Sequence, residues 1–369
     1  MKVTEILKLP LQVLDRVLLL GPPGIGKTEV VYERAFSEAR RKDKIFIDLR
    51  KASVETLRDV LREPDKYFTY MRIIATHVFP EDVSMPRDRG DFIIFKSPLV
   101  LKILEKCEGV LFIDELTNLR RADQRVLFYA LIQEKEIGWN LKLSDKITVI
   151  AAGNTPEQSS DAVELSKALE NRMTIIECEP PSIEEWVQYM NMKYGDEWEK
   201  FCAIYLARYP ADFYRMSDVP FKAFPSPRSW TRTAIQLYEL REFGENIRYE
   251  FVKGNVGDDV ATKFFTLMRV NIPEPREFLA KYRSYWESFT YDQKFLMIYS
   301  LTQFIQRNRD YLEKYGQFVA DFIDTGEREL VILLLRLTDK QTLSALVENE
   351  QISSALDKYI DELSEVLFT

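Results

Sequence analysis

At 369 residues, 46% hydrophobic and 30% charged, the chain has room for two or three cores and the composition of an ordinary folded protein. A net charge of −8 gives no overall attraction for nucleic acid or anionic lipid, and no apolar run approaches the roughly 18 residues that span a bilayer. Glu5 and Lys8 interrupt the apolar positions of the opening segment, and Cys107, Cys178 and Cys202 match no metal-ligand spacing, so export and insertion are not expected and reduced thiols in a cytoplasmic protein are.

The first apolar run, residues 17–20, leads into Gly21-Pro22-Pro23-Gly24-Ile25-Gly26-Lys27-Thr28, and an amphipathic stretch follows to residue 39. A glycine-rich turn between a strand and a helix is a phosphate-binding loop. Its glycines, Gly21 and Gly26 in particular, permit backbone angles that a Cβ would forbid, and the turn aims successive N–H groups and the positive end of the helix at one polyphosphate. Residues 21–29, Glu29 included, are therefore the expected nucleotide-binding segment, with Lys27 on the β- and γ-phosphates and Thr28 as a ligand of Mg²⁺.

Continuous apolar runs recur at 44–49, 109–114, 146–153 and 173–178, mostly separated by helical patterns, which predicts a buried parallel sheet of five strands within residues 1–180. Helical periodicity at 53–63 and 97–107 leaves more than one helix in the second crossover. An insert is expected there, at about 67–97, with β-like alternation at 70–78 and 91–95 forming a hairpin. The only histidine, His77, falls in this insert with no acid or cysteine patterned around it, and reads as surface or filler.

The strand ending Phe112-Ile113-Asp114-Glu115 carries two acids at the sheet edge where ligands of open α/β sheets bind. Asp114 would orient Mg²⁺ through water, and Glu115 would polarise a water for attack on the γ-phosphate; the plain alternative is a surface acid opening a loop. A second hairpin is expected at 135–146, where Trp139 either packs or meets a threaded substrate. The next strand ends at Asn154, which would sense the γ-phosphate or position the water, or is simply a turn residue.

Arg172 closes a helix before the fifth strand, away from its own phosphate loop. It could serve a neighbouring subunit in trans, or form a surface ion pair or helix cap. Pro180-Pro181 closes the sheet domain, and helical periodicity then dominates: a lid at 181–272, interrupted by a proline-rich loop at 210–227, and a C-terminal helical segment at 273–369 beyond the Asn271-Ile272-Pro273-Glu274-Pro275 junction. Ser226-Pro227-Arg228-Ser229-Trp230 opens a lid helix whose Arg228 would reach the nucleotide, unless it merely neutralises nearby acids.

Together these segments resemble AAA+ ATPases of the MoxR type, in the helix-2-insert clade. The matching residues are the loop at 21–28, Phe112 to Asn118, Ala151-Ala152-Gly153-Asn154-Thr155-Pro156, Ala168-Leu169-Glu170-Asn171-Arg172, Glu179 to Trp186 and Phe224 to Trp230. The resemblance covers about residues 10–270 and implies Walker A at 21–28, Walker B at Asp114 and Glu115, sensor 1 at Asn154, an arginine finger at Arg172 and sensor 2 at Arg228. It also implies a hexameric ring with both hairpins facing its pore, and makes a protein carrying a von Willebrand factor A domain an expected partner. The chain departs from the family pattern with Met173 in place of the usual Phe, and with Arg120 and Arg121 as rival arginines.

The expected function is ATP hydrolysis to ADP and phosphate, with Mg²⁺, driving remodelling of a protein client. A nucleotide-dependent binding switch with little turnover is the alternative. The acidic balance and the lack of a helix-turn-helix pattern weigh against a third reading, a nucleic-acid motor.

Overall fold

The computed structural model describes residues 1–137, 141–157, 167, 171–216, 222–325, 327–348 and 352–353. These form two compact units: Met1–Gly195 with Ser226–Arg232, and the described parts of Asp196–Pro225 with Thr233–Thr369.

The first unit is built on a parallel sheet. Its strands are β1 (Val17–Leu20), β2 (Ile45–Asp48), β3 (Tyr67–Ile74), β6 (Glu108–Asp114), β9 (Ile147–Gly153) and β10 (Thr174–Glu177), in the order β10-β1-β9-β6-β3-β2. β6 is buried from Gly109 onward and β9 throughout, as central strands covered on both faces must be. One face packs Leu18, Leu111, Ile113, Val149 and Ala151 against Leu57, Val60, Leu101, Leu104, Phe128 and Ile132. These last six come from α2 (Val54–Arg62), α4 (Leu99–Leu104) and α5 (Ala122–Glu134).

The sheet therefore has six strands rather than the expected five, and the addition corrects the insert. Tyr67–Ile74, assigned from sequence to the insert at 67–97, pairs in parallel with both β2 and β6, Tyr70 lying beside Asp48 and Val110. A long crossover is simply two crossovers with a strand between them. The antiparallel hairpin is narrower than expected, β4 (Met85–Asp88) with β5 (Ile93–Lys96), and Tyr70 is not part of it; the single turn α3 (Pro80–Val83) precedes it. The second hairpin pairs β7 (Glu136–Ile137) with β8 (Leu141–Lys142); Trp139, like Ala168, Leu169 and Glu170 of the motif before Arg172, lies outside the described residues.

The helix α1 (Lys27–Arg41) buries Val30, Val31, Arg34, Ala35, Glu38 and Ala39, at helical spacing. The apolar members pack as expected, but Glu38 is fully buried. Arg41 donates to both of its carboxylate oxygens and Arg34 donates to Oε2 at 3.0 Å, while Arg34 Nε reaches the Leu9 carbonyl at 2.8 Å. The hydrogen bonds from Arg41 first, then Arg34, hold the Glu38 carboxyl down at about 2 against the desolvation that would raise it. A carboxylate depressed in the folded state stabilises above its ordinary value of 4.5 and loses that contribution as pH falls toward 2. Glu38→Gln is thus expected to cost about 1–3 kcal/mol at pH 7 by leaving buried Arg34 poorly paired. In thermal unfolding scans the gap to wild type should narrow between pH 4.5 and 2; a constant gap would mean that Glu38 acts through packing alone.

The second unit is helical among its described residues. It includes Phe201–Arg208, Glu245–Val256, Asp258–Met268, Pro275–Ser288, Tyr291–Arg307, Leu312–Thr325, Arg328–Leu337 and Lys340–Val347. The chain is non-helical at 271–274, at the expected junction between lid and C-terminal segment, and the described residues on both sides belong to this one unit. Thr290 caps Tyr291–Arg307 in a capping box with Gln293, and Phe278, Trp286, Phe318 and Phe322 form an aromatic core. No described helix is long and apolar enough to cross a membrane.

Candidate nucleotide site

The sequence-predicted residues Lys27, Thr28, Asp114, Glu115, Asn154 and Arg228 converge where β1, β6 and β9 end, because a parallel register brings the carboxyl ends of these strands to one edge. In the loop after β1 the left-handed backbone falls at Gly24 (φ 83°) and Gly26 (φ 104°). Gly21 is not among the positive-φ glycines, which corrects the reason expected for it. It is required instead by close approach, since a Cβ there would lie 2.5 Å from the Cys178 carbonyl oxygen. Cys178 itself is a buried thiol, pushed by desolvation up to about 11.

Lys27 is buried beneath the loop. Its ammonium donates to the carbonyls of Gly21 and Pro22 and to Asn154 Oδ1 at 3.1 Å. Burial lowers its pKa to about 8, with Asp114 opposing and the nearby Arg228 assisting that shift. A polyphosphate arriving at the loop would supply negative charge that offsets this desolvation.

Thr28 Oγ1 donates to Asp114 Oδ2 at 2.9 Å, so the two expected metal-facing oxygens already meet. That donor set suits Mg²⁺, which is held by one or two protein oxygens together with substrate phosphates rather than by an all-protein cage. Among the described residues no cluster of three or more His, Cys, Asp or Glu side chains could hold a metal by itself.

Glu115 has φ 58° and ψ 32°, a left-handed conformation uncommon for a non-glycine residue and recurrent at functional sites. Its N–H donates to Asp114 Oδ1 at 3.0 Å, and its Oε2 lies 3.5 Å from Thr76 Oγ1. Asn154 is aimed by a backbone bond, its N–H donating to Thr117 Oγ1 at 2.9 Å. Thr117 also sets the neighbouring residue, because a Cβ on Gly153 would fall 2.5 Å from its methyl group.

Arg228 lies in the same unit as the loop. Its backbone N–H donates to the Gly24 carbonyl at 3.1 Å, and the Ser226 hydroxyl is close enough to meet a side chain placed on Gly24. The sequence leaves open which copy of the chain Arg228 would serve; in the fold it accompanies its own loop. Glu29, further along α1, accepts from Tyr189 at 3.1 Å and from Lys193. Arg172 is exposed, and its guanidinium donates to Gln133 Oε1 on α5 at 2.5 Å. Of its rivals, Arg121 is engaged by Asp123 through two nitrogens and lies over the Phe79 ring. His77 is exposed.

Sequence reasoning missed Arg72, Thr76 and Thr117. A signal existed for the first: an arginine inside the β-like run Tyr70-Met71-Arg72-Ile73-Ile74 must find an anion if that run is a central strand.

Residues 17–176 match the model of the AAA family, described as ATPase family associated with various cellular activities. With the six-stranded parallel sheet and the loop after its first strand, this defines the fold: a P-loop AAA α/β domain followed along the chain by a helical region. Among solved structures, the chain is similar to a point mutant of Thermotoga maritima RuvB at 17% identity, covering 77% of this chain and 76% of that one with a TM-score of 0.31. It is also similar to the Thermotoga maritima RuvB Holliday junction branch migration motor, at 18% identity, 77% and 76% coverage and a TM-score of 0.31. NtrX from Brucella abortus, in complex with ADP, aligns over 97% of this chain and 66% of its own at 14% identity and a TM-score of 0.37. No curated protein matches the sequence.

Proposed function

We propose that the chain is an ATPase that hydrolyses ATP to ADP and phosphate and uses the cycle to remodel a protein client as a MoxR-type ring. The observation that carries the nucleotide reading is the convergence of Lys27, Thr28, Asp114 and Asn154 at one sheet edge, linked by the Lys27–Asn154 and Thr28–Asp114 hydrogen bonds. In this reading the loop at 21–28 cradles the phosphates and Lys27 pairs with the β- and γ-phosphates. Thr28 and Asp114 would hold Mg²⁺, which when bound neutralises charge on the phosphates and fixes their orientation. Glu115 takes the proton of the attacking water, Asn154 orients that water, and Arg228 contacts the nucleotide in cis. Arg172, exposed, serves an adjoining copy.

The hexameric ring, the client and a von Willebrand factor A-domain partner rest on the motif resemblance. The binding switch with little turnover is the reading to separate from this one. Lys27→Ala is expected to weaken binding of a fluorescent ATP analogue about ten- to hundred-fold, the range for a lost charge-assisted contact. Undiminished affinity would exclude the loop as the phosphate site. Wild-type phosphate release whose specific rate rises with protein concentration supports the ring ATPase; a flat, negligible rate supports the switch.

A further inference from the structure

The Asp114 carboxylate already accepts four hydrogen bonds from its own unit, three of them on Oδ2. Oδ1 accepts from the Glu115 N–H, and Oδ2 accepts from Thr28 Oγ1 at 2.9 Å, Arg72 Nε at 3.0 Å and Arg72 Nη2 at 2.7 Å. The register explains how Arg72 arrives there. On β3 it lies beside Phe112 of β6, and Ile74 beside Asp114, so Arg72 and Asp114 project from the same face of the sheet two residues apart along neighbouring strands. The Asp114 side chain is only 11% exposed, whereas that of Arg72 is 37% exposed, leaving the guanidinium an open flank.

The oxygen bound by Arg72 is also the one bound by Thr28. A divalent cation bound by Thr28 and oriented through water by Asp114 would bring its two positive charges close to the guanidinium held on Oδ2, and like charges in a partly desolvated site repel. That repulsion favours the departure of one of the two. Arg72 is tethered by a flexible side chain with solvent on one side, so it is the one able to move.

We propose that Arg72 is a built-in competitor of Mg²⁺ for Asp114: it neutralises the carboxylate when metal-nucleotide is absent and swings off Oδ2 when it binds, setting the Mg²⁺ concentration at which nucleotide is retained. This rests on the reading of Asp114 as the metal-facing carboxylate. Arg72 is accordingly a positioning residue. A purely supporting role, in which Arg72 holds Asp114 ready for the metal, predicts the opposite sign on removing its charge.

The test is a Mg²⁺ titration of mant-ADP binding to the full-length protein in EDTA-buffered solutions, read by fluorescence without turnover. Mn²⁺ in place of Mg²⁺, followed by electron paramagnetic resonance of the free ion, gives an independent count of bound metal. Arg72→Gln removes the charge but retains a donor for Asp114; Arg72→Lys retains the charge. Half-saturation in the Gln variant is expected at about tenfold less metal than in wild type, with the Lys variant within about threefold of wild type. An unchanged or increased metal requirement in the Gln variant would overturn the inference while leaving the nucleotide site intact. Should the Gln variant not fold, a metal requirement in the Lys variant that rises, rather than staying near wild type, overturns it instead. Wild-type protein that binds mant-ADP at no metal concentration would take down both the inference and the nucleotide reading, an outcome visible before any variant is made.

Discussion

Arg172→Ala is expected to reduce ATP turnover by about 10³- to 10⁵-fold, the effect of losing an arginine that stabilises charge on the transferring phosphoryl group, with nucleotide binding retained. The side chain is exposed on the first unit and donates to a neutral partner, Gln133, and among the described residues no carboxylate has to release it. Arg121 would have to give up two bonds to Asp123. If the arginine acts on a neighbour's nucleotide, mixing Arg172→Ala with Lys27→Ala subunits should restore part of the phosphate release, because one mixed interface then pairs an intact loop with an intact arginine. Absence of rescue at every mixing ratio would rule out action in trans.

Glu115→Gln should lower turnover by about 10²- to 10⁴-fold while the analogue still binds. The substitution keeps the length and the hydrogen-bonding outline of the side chain but removes the lone pair that takes a proton from water. Because the Glu115 N–H is fixed to Asp114 Oδ1, the backbone should hold the amide where the carboxylate stood. Single-turnover hydrolysis measured beside equilibrium binding separates the two effects. A variant that retains more than roughly a tenth of wild-type turnover would show that another group activates the water.

Much of this edge could be read from the chain. The loop at 21–28 and the strand ending in Asp114 and Glu115 carry local patterns, glycine where a side chain has no room and acids after an apolar run, and such patterns need no knowledge of distant residues. β3 could not be read so directly. Its sequence, Tyr-Phe-Thr-Tyr-Met-Arg-Ile-Ile, mixes polar and apolar side chains, which resembles a half-exposed hairpin strand. In the fold Thr69 is buried and donates to the Glu108 carbonyl, while Arg72 finds Asp114, so its polar residues are satisfied by β6 rather than by water. Only the pairing reveals that, and missing it hid Arg72 as well. The buried Glu38 was concealed for a similar reason: its partners, Arg34 and Arg41, look like an ordinary charged helix face until Arg34 is buried with its Nε on the Leu9 carbonyl, while Arg41 reaches Glu38 from the surface.

The left-handed residue after Asp114 has an implication for anyone seeking a sturdier version of this protein. Glycine would occupy those dihedral angles with less steric cost, so a search guided by folding alone would be drawn to replace Glu115. The chain instead carries an acidic side chain at dihedral angles that glycine adopts at less cost. If Glu115 takes the proton from water as proposed, durability and chemistry pull in opposite directions at that position.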